Sequence, residues 1–183
     1  MRFWANLIGY QLVWFAVVIA AARDEPGWGI AAALVFVAAQ WRDSPLRSSD
    51  AWLVGVALGL GIAIDGSLAA TGALRYASAS PGLLAPGWIL ALWAAFAMTV
   101  NHSMAFMRGR LGVAALLGAV GGPLAYLGAA RGFGAVAFAV PAWRGIALLA
   151  IGWAIAMAVL MVLAGRWRHR DRTTVPASHG VAR

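Results

Sequence analysis

The stretch "VGVALGLGIAIDGSLAATGAL", Val54 to Leu74, decides how the whole chain is read. It is long and apolar enough to cross a bilayer, which takes roughly 20 residues over about 30 Å of hydrocarbon. Asp65 nevertheless stands inside it. A helix satisfies its own backbone in lipid, so the run reads as a spanning helix. The carboxyl group has no such internal solution. It must face a bundle interior, a wet cavity or a hydrogen-bonding partner, and for that reason it is a candidate functional residue.

This run extends back to Ala51, and five further apolar runs flank it: Phe3–Ala22, Trp28–Trp41, Leu84–Met107, Leu111–Ala130 and Trp143–Ala164. Trp28–Trp41 is short for a span, so it must tilt little, recruit flanking residues or thin the bilayer locally. The other four reach spanning length. Hydrophobic residues make up 63% of the 183 and charged residues 11%, whereas soluble domains run at about 45–50% and 25%. These features predict an all-α polytopic membrane bundle of about six transmembrane helices over residues 1–165, followed by a basic, disordered cytoplasmic tail over 166–183. The first run is too long for the apolar core of a signal peptide and is expected to remain as a helix.

The net charge of +8 comes from fourteen arginines and no lysine. With the N-terminus inside, ten of them (Arg2, Arg42, Arg47, Arg108, Arg110, Arg166, Arg168, Arg170, Arg172 and Arg183) fall on the cytoplasmic side. Four (Arg23, Arg75, Arg131 and Arg144) fall outside. The bias orients both termini to the cytoplasm. Charge placed at run ends in this way suits anionic lipid headgroups, contacted by Arg108, Arg110, Arg166, Arg168, Arg170 and Arg172, and argues against a nucleic-acid partner. Trp4, Trp28, Trp41, Trp52, Trp88, Trp143 and Trp167 lie near run ends, where amphipathic rings settle at the interface. Pro26–Trp28, Pro86–Trp88 and Pro141–Trp143 each open an even-numbered helix. The recurrence reads either as three duplicated helical hairpins or, as the better fit, as convergence on helix-start and interface preferences.

Inside the bundle three polar features carry the candidate chemistry. Asp65 lies about fifteen residues, or 22 Å, from the start of its run, which predicts a place near the midplane. In "MTVNHSMAFMRGR", Met98–Arg110, the residues Asn101, His102 and Ser103 are consecutive and would fan around the cytoplasmic half of the fourth helix. Asn6 and Gln11 lie at depths close to Asn101, so these three amides are expected to gather in one polar cluster. A direct bond from Asp65 to His102 is not expected, because they differ in depth by roughly 13 Å.

The third feature is "LLGAVGGPLAYLGAARG". Gly118 and Gly122 form a GxxxG pair suited to close helix packing. Pro123 would free a carbonyl near Ala119 and break the fifth helix beside Gly121, with Tyr126 one turn further out. A kinked, glycine-lined wall facing Asp65 would form a cavity, and Gly59, Gly61 and Gly66 would leave room beside the carboxyl group. Cysteine is absent, His102 is the one histidine inside the bundle, and neither a metal-ligand set nor a cofactor-binding motif occurs.

The order "MRFWANLIGYQLVWF", a mid-span Asp, "PGWILALWAAF", "NHSM" and "LLGAVGGPLAYLGA" resembles the bacterial inner-membrane family called domain of unknown function 2878. The resemblance covers about Met1 to Ala164. It implies a multi-pass inner-membrane protein whose genes lie beside enzymes that modify unsaturated or cyclopropane fatty acids. It also implies importance for Asn6, Gln11, Trp14, Asp65, Trp93, Ser103, Gly122, Pro123 and Tyr126. Three functions fit these readings. The first is an accessory or lipid-binding protein of membrane-lipid physiology, partnered by lipids and a membrane enzyme. The second is a small proton-coupled transporter that uses Asp65 and works as a homodimer. The third is an intramembrane lipid-modifying enzyme with Asp65 or His102 as acid or base.

Overall fold

The computed structural model describes residues 2–79 and 85–173. Within them each apolar run becomes a helix: α1 (Arg2–Ala22), α2 (Pro26–Asp43), α3 (Arg47–Ala70), α4 (Gly87–Val100), α5 (Leu111–Gly128) and α6 (Ala142–Thr173). Four segments, Phe3–Ala22, Arg47–Ala70, Leu111–Phe133 and Ala142–Trp167, are long and apolar enough to cross a membrane. α5 reaches this length by widening into a π turn over Ala129–Phe133. α6 runs on to Thr173, past the expected boundary at residue 165. Residues 174–183 of the tail, and the side chains of Arg168, Arg170 and Arg172, lie outside what is described.

α4 departs most from the sequence reading. Its run was expected to continue to Met107, yet the helix stops after 14 residues at Val100. Thr99 causes the stop. Its carbonyl accepts both His102 N at 3.0 Å and Met104 N at 2.9 Å, closing a turn in place of another helical step. Its hydroxyl bonds back to Phe96 O at 2.7 Å. Asn101, His102 and Ser103 therefore sit on a turn, free of the 100° helical spacing that would have separated them. Leu84, the expected start of the run, lies outside the described residues.

α4 is apolar all round, the mark of a helix buried on every side. Trp88, Ile89, Ala91 and everything from Trp93 to Val100 are buried, and α1, α2, α3 and α6 pack around them. Trp88 was expected at an interface. Instead it is 1% exposed and donates from Nε1 to Ala77 O at 2.9 Å. Trp28 and Trp143, its counterparts in the other Pro-x-Trp segments, are exposed.

The helices alternate in direction, as side-chain bonds at both ends establish. At one end Asn6 of α1 donates to Met98 O of α4 and to Gln40 of α2, while Trp52 of α3 lies beside Trp167 of α6. At the other end the segments after α3 and before α6 pair as antiparallel strands, β1 (Leu74–Tyr76) and β2 (Val136–Phe138), with Arg75 opposite Ala137. Two further bonds, Ala77 N to Ala135 O and Ala139 N to Ala73 O, lengthen the ladder. The bundle is therefore helical with a small sheet cap, which the all-α reading omitted. Backbone leaving two adjacent helix ends needs partners, and each segment supplies them to the other.

α5 resolves the glycine question. A Cβ on Gly118 would lie 2.3 Å from Trp153 O of α6, and one on Gly122 would lie 2.3 Å from Trp153 Cγ. Both glycines are thus sites of close helix approach. The expected break at Pro123 is absent: α5 passes through it unbroken, since one missing N–H is tolerated in a helix held by its neighbours. Gly121 points the other way, with nothing within 4 Å of its would-be Cβ.

This contrast gives a direct test. Gly122→Ala should lower stability by about 1–3 kcal/mol through overpacking against Trp153, while Gly121→Ala should change it by less than about 0.5 kcal/mol. Thermal unfolding of the two variants in the same detergent measures the difference.

Candidate functional site

Asp65 is fully buried, and its surroundings correct two expectations. The first concerns depth. α3 begins at Arg47 and ends at Ala70, so Asp65 lies about a turn and a half, or 7.5 Å, from the end nearest the sheet cap, well past the midpoint. The helix stops there because Gly72 adopts φ +69 just beyond it, the left-handed conformation that favours glycine after a helix. The second concerns space. The room left by Gly61 is filled by the indole of Trp93, which a Cβ on Gly61 would strike at 2.5 Å.

Three donors converge on the carboxyl group. Trp93 Nε1 donates to Oδ2 at 2.7 Å. Tyr76 Oη donates to Oδ1 at 2.9 Å, and Tyr126 Oη also bonds Oδ1. The three come from α4, β1 and α5, so one side chain of α3 gathers three separate segments. Burial and the adjacent Asp65 push the Tyr76 phenol above its ordinary pKa, which keeps it a donor. Behind this node Trp93 stacks on Trp153 with centroids 4.3 Å apart and planes at 12°. Trp153 in turn rests on Gly118 and Gly122. The two indoles lie between a glycine of α3 and a glycine pair of α5.

A second polar network occupies the opposite end. Asn6 bonds Gln40 at 2.8 Å and Met98 O at 3.0 Å, and its Oδ1 accepts from Ser103 Oγ at 2.7 Å. Asn101 donates to Ser49 Oγ at 2.9 Å and to Asp50 Oδ1 at 2.8 Å. His102 Nε2 meets Asp50 Oδ2 at 3.0 Å. The three amides expected to gather are divided: Asn6 bonds Gln40 and Ser103, Asn101 bonds Ser49 and Asp50, and Gln11 is in neither set. Gln40, Ser49 and Asp50 are the members that the sequence reading missed. Asp50 was missed because α3 starts four residues before the apolar run that marks it. Arg42, Arg47, Arg110 and Arg166 are exposed at this same end, and Arg108 folds back to Ala105 O.

Between the two networks runs a cavity of about 760 Å³. Its walls are α1 and α5, which pack on α2 and α6 respectively, and its floor is α4 with Trp153 and Met157 of α6. Beside it Trp14 and Phe15 of α1 meet Phe133 of the π turn, with ring centroids 6.2 and 6.0 Å apart. Gln11 and Gly121 line it, together with Tyr10, Ser103, Trp93 and Tyr126. Asp65 does not line it. Its partners Trp93 and Tyr126 stand between the carboxyl group and the opening. The volume falls in the roughly 300–1,000 Å³ range of small-molecule sites.

Sequence logic could have reached Trp93. α3 and α4 meet at the sheet-cap end, and Asp65 lies five residues before the end of α3 while Trp93 lies six after the start of α4. At 1.5 Å per residue the two stand at nearly one level. Tyr76 had no such signal, because its position depends on the strand pairing.

The three-donor node yields a second test. Asp65→Leu should cost about 3 kcal/mol or more, since it leaves buried donors unpaired. Asp65→Asn keeps an acceptor for the tyrosines but turns an NH2 toward the Trp93 N–H. Its penalty, about 1–3 kcal/mol, should shrink when combined with Trp93→Phe. A double-mutant cycle read by unfolding in detergent shows whether the two sites couple.

No curated protein and no solved structure matches the chain. From residue 3 to residue 159 it matches the family described as protein of unknown function DUF2878, and it belongs to that family.

Proposed function

We propose that this is a lipid-binding accessory protein of the bacterial inner membrane, acting in fatty-acid modification, whose ligand enters the cavity sideways between α1 and α5. The observation that carries the reading is the cavity itself: a slot bounded by two apolar helices, floored by Trp93, Phe96 and Trp153, with few polar atoms on its walls. Lipid tails are the apolar solvent surrounding such helices. The arginines exposed at the Asp50 end suit the anionic headgroups of the cytoplasmic leaflet. In this frame all six helices cross or enter the membrane, with the buried α4 shielded by its neighbours, and both termini are cytoplasmic. A membrane enzyme acting on the same lipid is the natural partner.

Asp65 supports this reading over proton coupling or acid–base catalysis. Both its oxygens are taken by protein donors, and Trp93 and Tyr126 separate it from the cavity. A carboxyl group placed in this way organises the wall.

Gly121→Trp fills the slot from a position with open space before it. Native mass spectrometry of the purified protein should find lipid adducts on the wild type and lose most of them in this variant, with melting temperatures alike. An unchanged lipid complement would refute binding in the slot. For orientation, green fluorescent protein fused after residue 183 should fluoresce, and alkaline phosphatase at the same point should be inactive.

A further inference from the structure

We infer that the slot takes one acyl chain, with its methyl end against the sheet cap and its polar end at the turn after α4. This rests on the lipid-binding reading and adds the number, direction and length of the chains accepted. The two ends of the slot differ. Val18, Trp88, Ile89, Ala129 and Val136 line it near the sheet cap, and each is 4% exposed or less. Phe3 and Phe106 line it at the other end, where they are 43% and 57% exposed. The slot is therefore blind toward the sheet cap and open toward the turn after α4. No charged side chain among the described residues lines it. Of its neutral polar groups, Trp93 and Tyr126 bond Asp65, Ser103 bonds Asn6 and Trp88 bonds Ala77 O. Trp153 Nε1 is buried without a hydrogen bond, and Tyr10, Gln11 and Trp14 are half-buried or exposed. An ionised head has nothing to pair with inside and is costly to bury. It stays at the open end, where Arg110 is exposed, and hydrocarbon fills the rest.

Length and volume both match a single chain. α1 lines the slot from Phe3 to Val18, about 22 Å at 1.5 Å per residue. An extended chain advances about 1.2 Å per bond, since a polypeptide covers roughly 3.5 Å in three bonds. The slot is thus as long as about eighteen carbons. A methylene takes up about as much space as a water molecule, roughly 30 Å³, so eighteen of them fill about 540 Å³. The slot holds about 760 Å³, room for one such chain, whereas two need about 1,080 Å³. The methyl end of the chain then meets Ala129 and Val136. Ala129 has the smallest side chain of the blind end and sets the longest chain that fits.

The test uses the full chain in detergent micelles and two photoreactive probes, stearate carrying a diazirine beside its methyl end and stearate carrying one beside its carboxylate. Peptide mapping should place the first on Val18, Ala129 or Val136 and the second on Phe3, Met104 or Phe106, with excess stearate suppressing both. Native mass spectrometry should count one displaceable stearate per chain. A folded Ala129→Leu variant should bind stearate about tenfold more weakly, because the added carbons overfill the blind end, and should bind the shorter myristate as wild type does. The reverse order of labelling, one set of peptides for both probes, or two displaceable stearates would overturn the inference and leave lipid binding standing. So would equal weakening of stearate and myristate by Ala129→Leu. Labelling that excess stearate fails to suppress would overturn the lipid-binding reading as well.

Discussion

The bundle is organised around the buried carboxyl group of Asp65. Asp65 cannot be left alone in an apolar interior, and the donors that satisfy it come from three segments far apart in sequence. Each bond has a packing consequence. Reaching Oδ2 brings the Trp93 indole against Gly61, which sets the separation of α3 and α4. Stacking on Trp93 places Trp153, and Trp153 accepts close contact from α5 only because Gly118 and Gly122 lack side chains. The bond to Tyr126 fixes the same helix from its other end. Polar satisfaction and close packing act here as one constraint, and each requires the other.

The Asn6 and Asp50 networks give the opposite end a different logic. There the buried polar groups meet the ends of helices, where backbone groups need partners in any case. The turn after α4 lets Asn101 and His102 reach Asp50 while Ser103 reaches Asn6. A continuous helix would have spread these residues over more than half its circumference. Stopping α4 early is thus what allows one short polar segment to tie α1 and α3 to the core.

Much of this was legible in the sequence, for reasons that also mark where legibility ended. Run length and composition fix where helices lie, because hydrocarbon imposes both. Asp65 stood out because nothing else in its run is charged, and Gly118 and Gly122 because their spacing matches one helix face. Depth could not be read from run boundaries alone: α3 starts four residues before its apolar run and stops four before that run ends, so Asp65 moved from the expected midplane toward the sheet cap. Asp50 and Gln40 looked like ordinary loop-side polar residues, and Tyr76 depended on a strand pairing that composition cannot foresee. Pro123 shows the opposite error, where a strong local signal for a break was overridden by the packing around it.

The β1–β2 ladder has a mechanical consequence. It splices the α3–α4 hairpin to the α5–α6 hairpin through backbone hydrogen bonds, so these four helices form a frame braced at one end by the ladder and through the middle by the stacked indoles. The α1–α2 hairpin joins that frame by packing on α4 and by side-chain bonds, from Asn6 at one end and from Ser78 to Ala21 and Asp24 at the other. Of the slot's two walls, α5 is accordingly the one joined to this frame through the backbone ladder, and α1 the one joined to it through side chains alone.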